Sequence, residues 1–121
     1  MPSIATVDTF MAAVEAGDYV GAIERFYTAD ARTRENLGAP RVGRDTVVMA
    51  EKGMMAAFDQ IKAQRQGPPL ITGDHVAIRW RFEFISTRGP ARVLEEVAWQ
   101  TWNGEEIVEE TFFYDPAQMA G

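Results

Sequence analysis

Cysteine is missing altogether, which removes disulfides, thiolate nucleophiles, iron–sulfur clusters and every zinc site that uses sulfur. Histidine is nearly as scarce. His75 stands alone, so metal sites built on histidine pairs are out of reach, and a Ser-His-Asp relay would have to recruit Ser3 or Ser86. No metal and no other cofactor is expected. Positive charge is also in deficit, 12 Lys plus Arg against 18 Asp plus Glu for a net charge of -6, which argues against a surface that tracks nucleic-acid phosphates. No run approaches the roughly 18 apolar residues of a membrane span. The opening Met1 to Val14 carries Asp8 and no basic cluster, so it does not read as a secretory signal. These absences predict a cytoplasmic protein without a nucleic-acid or membrane partner. Proton transfer, if there is any, falls to carboxylates, tyrosines, Lys52 or Lys62.

With 121 residues and a 46% hydrophobic share, the chain is long enough for one domain with its own core, spanning 1–121. Ile4, Val7, Phe10, Met11 and Val14 recur at helical spacing between Ser3, a natural N-cap, and Gly17, a natural stop. Asp18 caps a second short helix carrying Tyr19, Ala22, Ile23, Phe26 and Tyr27. A short strand over Ala31 to Asn36 and the breaker Leu37-Gly38-Ala39-Pro40 precede a third helix, from Arg44 or Asp45. Its stripe is Val47, Val48, Met54, Met55 and Phe58. Beyond Asp59 the period becomes two. His75 falls at a hairpin tip, Val76 to Ile85 and Arg92 to Trp102 read as strands, and Asn103-Gly104 turns the chain into Glu106 to Tyr114. Helices followed by a meander predict an α+β fold with the helices on one sheet face.

This order of elements, together with Glu15-Ala16-Gly17-Asp18, Phe26-Tyr27-Thr28-Ala29-Asp30-Ala31, Gly43-Arg44-Asp45 and Asn103-Gly104-Glu105-Glu106-Ile107 ahead of Phe113-Tyr114-Asp115, resembles the nuclear transport factor 2-like superfamily. It is most similar to the branch holding SnoaL-like polyketide cyclases, ketosteroid isomerases and limonene epoxide hydrolases. The resemblance implies a cystatin-like cone, a curved antiparallel sheet wrapped around three N-terminal helices, with a deep pocket at the open end. It also implies a carboxylate base at Glu35. The oxyanion-binding tyrosine and aspartate of the isomerases correspond to Phe10 and Ala98, which disfavours steroid isomerisation. The hydrolase Asp-Arg-Asp set corresponds to Arg81, Arg79 and Phe112, which loses the water-activating carboxylates. A cofactor-independent isomerase, cyclase or lyase using one carboxylate remains. The alternative is a non-catalytic ligand-binding or dimerisation module.

The candidate catalytic pair is thus Glu35 as acid-base and Arg79 as anchor for an anion or carbonyl. The candidate wall for a small hydrophobic or partly polar molecule is Phe10, Met54, Phe58, Arg81, Gln100, Glu110 and Phe112. Each has a plainer reading. Glu35 could pair with Arg32 or Arg34 on a solvated strand, and Arg79, Arg81 and Glu83 could form an exposed ladder. Glu95-Glu96 and Glu109-Glu110 look like chelating pairs, but adjacent strand residues point to opposite faces. Only Glu96 and Glu110 would share the side of Ala98, Gln100 and Phe112. Trp80, Phe82, Phe84, Val97, Trp99 and Phe113 would form one apolar surface. The family orientation leaves it outside the helices, as a homodimer interface, whereas core burial would send the arginines to solvent.

Overall fold

The computed structural model describes residues 1–120. Helix α1 spans Ile4–Glu15, and the Ser3 hydroxyl accepts from the Thr6 N–H at 3.1 Å, so the expected cap forms. The corner to α2 (Tyr19–Phe26) needs Gly17 at φ +82, and the Asp18 carboxylate caps α2 by accepting from the Gly21 N–H at 3.2 Å. Strand β1 (Tyr27–Glu35) starts directly at the end of α2. Tyr27 therefore belongs to the sheet rather than to the helix in which its spacing placed it. Strand β2 (Arg41–Val42), helix α3 (Arg44–Ala56), β3 (Gln60–Arg65) and β4 (Leu70–Thr72) follow. The meander is β5 (His75–Ile85), β6 (Arg92–Asn103) and β7 (Glu106–Phe113), and a 3-10 turn closes the chain at Pro116–Met119.

The sheet order is β2-β1-β7-β6-β5-β3, with β4 also paired to β5. The fold is the expected α+β cone of three helices and a curved, unclosed sheet, but the sheet is mixed: β1 runs parallel to β7. Seventy residues separate the two strands, so no tight hairpin dictates their direction. Register decides the rest. Val76, Ile78 and Trp80 stand opposite Gln100, Ala98 and Glu96, so these six share one face, and the helices cover it. Val76 and Ile78 are fully buried and Trp80 is 3% exposed, packed with Val7, Phe10, Met11, Phe26 and Trp102. Phe10 is a hub, edge-on to Phe26 at 5.5 Å and to Trp102 at 6.2 Å. Arg65 ties β3 to α1 through Asp8 and Glu15, each at 2.7 Å.

The proposed continuous aromatic surface is accordingly divided. Trp80, Phe82 and Phe84 lie under the helices, whereas Val97, Trp99 and Phe113 lie on the outer face with Trp99 and Phe113 exposed. The family orientation had the β5 parity reversed. The reason is elementary: five apolar side chains alternate along β5, and burying that row gains far more than burying the row that holds Arg79, Arg81 and Glu83. Among the described residues no helix is long and apolar enough to cross a membrane.

Candidate functional site

The helices do not fill the cone. Between α2, α3 and the inner faces of β1, β5 and β7 lies a cavity in two lobes that share the walls Tyr19, Glu35, Glu51, Met54, Phe82 and Phe112. One lobe, of about 130 Å³, reaches Phe10, Tyr27, Trp80 and Glu110; the other, of about 140 Å³, reaches Phe84, Leu94, Glu96 and Tyr114. The walls are aromatic and aliphatic, with four carboxyl groups and one guanidinium among them.

Glu110 sits at the floor of the Tyr27 lobe and is 2% exposed. The Tyr27 hydroxyl donates to its Oε1, and Gln100 Nε2 donates to its Oε2 at 2.7 Å. Trp102 Nε1 donates to Gln100 Oε1 at 2.9 Å, which fixes the amide with its NH2 toward the carboxyl. Burial pushes the Glu110 carboxyl up to about 7, although the hydrogen bonds from Gln100 and Tyr27 pull it down. The same burial, with the Glu110 charge beside it, lifts the Tyr27 phenol well above its usual range.

Glu96 lines the Tyr114 lobe. Its Oε2 is buried and has no hydrogen-bond partner, and burial raises the carboxyl to about 8, assisted by the charges of Glu110, Glu35 and Glu51. Glu51, on α3, is likewise raised by burial, and Arg41 opposes the shift. Tyr19 donates to the Ile61 carbonyl at 2.9 Å and is pushed up to about 12 by burial and by Glu51.

Glu35 does stand in the cavity wall, but its partner is Arg41 of β2 at 2.7 Å rather than Arg32 or Arg34. Those two point to the other face, since Arg32 and Arg34 pair with Glu109 and Thr111 on the outside of β7. Phe10, Met54, Phe112 and Glu110 are wall residues. Phe58 and Gln100 are one layer back: Phe58 packs on Phe84 at 5.0 Å, and Gln100 is fully buried behind Glu110. Arg79 and Arg81 are not in the cavity. Both lie on the outer face, Arg79 exposed and Arg81 3.8 Å from Glu83, because the β5 row beside them is the core row. Glu35 and Arg79 therefore never meet in one site.

Sequence reasoning missed Tyr27, Arg41 and Glu51. Glu51 carried a readable signal, being four residues after Val47 and three before Met54 on the apolar stripe of α3. Tyr27 carried none, because helical spacing continued through it.

A helix-covered cone of mixed sheet around a walled cavity is the architecture of the nuclear transport factor 2-like superfamily. A model of the SnoaL-like domain family matches residues 7–110, and the chain belongs to that family. Among solved structures it is similar to a candidate SnoaL-like polyketide cyclase from Jannaschia sp. CCS1, at 13% identity, TM-score 0.80 and coverage of 94% of this chain and 88% of that one. It is equally similar to a nuclear transport factor 2-like protein of unknown function from Burkholderia pseudomallei K96243, at 16% identity, TM-score 0.80 and coverage of 95% and 92%. A third neighbour is a protein with a ketosteroid isomerase-like fold from Catenulispora acidiphila DSM 44928, in complex with trimethylamine, at 21% identity, TM-score 0.77 and coverage of 90% and 85%. No curated protein matches the sequence.

Proposed function

We propose that the cavity binds a small, largely apolar organic molecule and that Glu110 moves a proton on it, an isomerase- or cyclase-type reaction. One observation carries the reading: a carboxyl group at the floor of an apolar cavity, aimed by Tyr27 and Gln100 and held near neutrality between its two protonation states. A group so poised can take a proton from carbon and return it at a neighbouring atom, because neither form is strongly disfavoured. Tyr27 donates a hydrogen bond to Glu110 and lines the same lobe, so it is placed to support the carboxylate when the proton leaves. Glu35, held by Arg41, serves better as part of the wall than as the base. The fold neighbours share architecture alone with this chain, so the ligand class rests on its own residues.

Solvent deuterium uptake into a panel of small cyclic ketones and enones, read by mass spectrometry, tests the reading. Wild-type protein should exchange at least one compound, and Glu110→Gln should slow that exchange by about 10²- to 10⁴-fold. Unchanged exchange in the variant, or a panel with neither exchange nor binding, defeats it.

With this goes a proposed homodimer through the outer sheet face. Leu70, Val93, Trp99 and Phe113 are exposed there, and a two-fold axis would let the patch cover itself.

A further inference from the structure

The Tyr114 lobe is charged in a way that the proton-transfer reading does not use. Its lining holds Glu35, Glu51 and Glu96 and no cation, while the one guanidinium on the adjoining wall, Arg41, is taken by Glu35 at 2.7 Å. Neither Glu51 nor Glu96 has an ion-pair partner among the described residues. Glu96 is 9% exposed, and its Oε2 makes no hydrogen bond at all. A buried carboxyl oxygen left unpaired costs roughly 1–3 kcal/mol, so a protein that keeps one in a cavity wall gains from a ligand that supplies the missing donor. Phe82, Phe84 and Phe112 also line the lobe, and aromatic rings attract a cation. A metal ion fits poorly, since among the described residues no three carboxylates converge on one point. An anion would be repelled from every side except Arg41.

We propose that the Tyr114 lobe is an ammonium subsite, in which Glu96 and Glu51 hold the protonated amine of a small organic cation whose apolar body lies against Phe82, Phe84 and Phe112. The proposal names the substrate class of the cavity and rests on the preceding reading only in treating that cavity as a ligand site. Its proton balance is definite. In the free protein Glu96 carries a proton at neutral pH, under the combined influence of burial, Glu110 from β7, Glu35 from β1 and Glu51 from α3. Tyr114 and Tyr19 on the walls are neutral there, and Arg41 is spent on Glu35. When the ammonium arrives, Glu96 loses that proton to solvent and the carboxylate accepts a hydrogen bond from the amine N–H. Affinity for a cation must therefore rise with pH up to about 8 and then level off.

Calorimetric titration of the intact chain with benzylammonium chloride, benzyl alcohol and sodium benzoate separates the possibilities. The ammonium should bind at least about tenfold tighter than the alcohol, and benzoate should bind weakest. Binding of the ammonium should release a proton, seen as a heat that depends on the ionisation enthalpy of the buffer, and should tighten by up to about tenfold per pH unit between about pH 6 and about pH 8. Glu96→Gln should abolish the preference for ammonium over alcohol. Glu51→Gln, a change at a less buried position that leaves the sheet core untouched, should reduce the preference by a smaller factor. Equal binding of alcohol and ammonium to wild-type protein, or a preference that survives both substitutions, overturns the subsite and leaves the cavity reading standing. Failure of all three probes to bind also overturns the subsite, while the cavity reading stands or falls by the deuterium-exchange panel.

Discussion

Glu95 and Glu96 are neighbours on β6, as Glu109 and Glu110 are on β7, yet the two members of each pair live in different solvents. Glu95 and Glu109 project from the outer sheet face into water, where a charge costs little and a salt bridge contributes little. Glu96 and Glu110 project inward, are buried beside aromatic rings, and titrate at about 8 and about 7. One peptide unit of displacement thus separates a solvent-exposed carboxyl from a buried one able to hold a proton at neutral pH. The same contrast holds on β5, where Trp80 faces the core and Arg79 and Arg81 face out. The pleat, rather than the residue type, decides which side chains of this chain have chemistry available to them.

The sharpest way to break that comparison is to truncate the two tryptophans that lie on opposite faces. Trp80→Ala should cost about 3–5 kcal/mol of folding stability, because it empties a site where the side chain is 3% exposed. Trp99→Ala, where the ring is 46% exposed and stacks on His75 at 5.5 Å, should change the stability of a single chain by less than about 1 kcal/mol. Urea denaturation of both variants settles it, and equal losses would mean that the face assignment is wrong. If the outer face is a dimer interface, Trp99→Glu should also yield a folded monomer by sedimentation.

Much of this was legible in residue order. The caps at Ser3 and Asp18, the three helices, the strand beginning near His75, and the turn at Asn103-Gly104 all follow from local spacing and turn chemistry, which act within a few residues. That Glu96 and Glu110 share one face with Gln100 and Phe112 follows from strict alternation, and it is the family resemblance that makes this face the inner one. What failed was the coupling between strands. The apolar row Val76, Ile78, Trp80, Phe82 and Phe84 announces its own burial, but placing Arg79 in a pocket by family correspondence required that row to face outward. Pairing Trp80 with Glu96, and Glu35 with Arg41 of the short β2, depends on contacts between distant segments that no local pattern encodes. Tyr27 was hidden for a related reason: the helix ends at Phe26 because the next residues join the sheet, a tertiary event.

A second contrast, between these buried carboxyls and those in the exposed turns, lies in how stability responds to pH. For Glu96 the folded-state value of about 8 exceeds the ordinary 4.5, so the folded chain binds the extra proton throughout that interval, and stability must fall as pH rises across it. Glu110 acts in the same sense up to about 7. Each contributes at most about 1.4 kcal/mol per pH unit within its window. The lowered carboxyls of Asp74 and Glu105, at the surface, have the opposite sign and act below the ordinary carboxylate range, outside this window. Denaturation at about pH 5.5, about 7 and about 8.5 should therefore show a steady decline, and Glu96→Gln should flatten its upper half. Stability that climbs with pH over this range would place these two carboxyls in water.

Tyr27→Phe probes the same floor at smaller amplitude. Removing the hydroxyl leaves Glu110 Oε1 without its donor, at a cost of about 1–2 kcal/mol while the carboxyl is ionised and less once it is protonated. Because that hydrogen bond lowers the Glu110 value, the variant should titrate Glu110 still higher, which carboxyl-detected NMR can follow.

The smallest effect expected is the one that the family correspondence would have made the largest. Arg79 is exposed on the outer face, and Arg81 has only Glu83 at 3.8 Å, so neither replacement disturbs a buried group. Arg79→Ala and Arg81→Ala should each change folding stability by less than about 0.5 kcal/mol. Benzyl alcohol affinity and deuterium exchange should be unaltered within error, since the sheet backbone stands between these side chains and the cavity. Arg41→Ala is the matched control on the inner side: it strips Glu35 of its partner, adds a third uncompensated carboxyl to the lobes, and should strengthen binding of benzylammonium while weakening the fold. If Arg79→Ala instead abolished ligand binding while Arg41→Ala did nothing, the charged row of β5 would have to face the cavity, and the register that pairs Trp80 with Glu96 would be wrong by one residue.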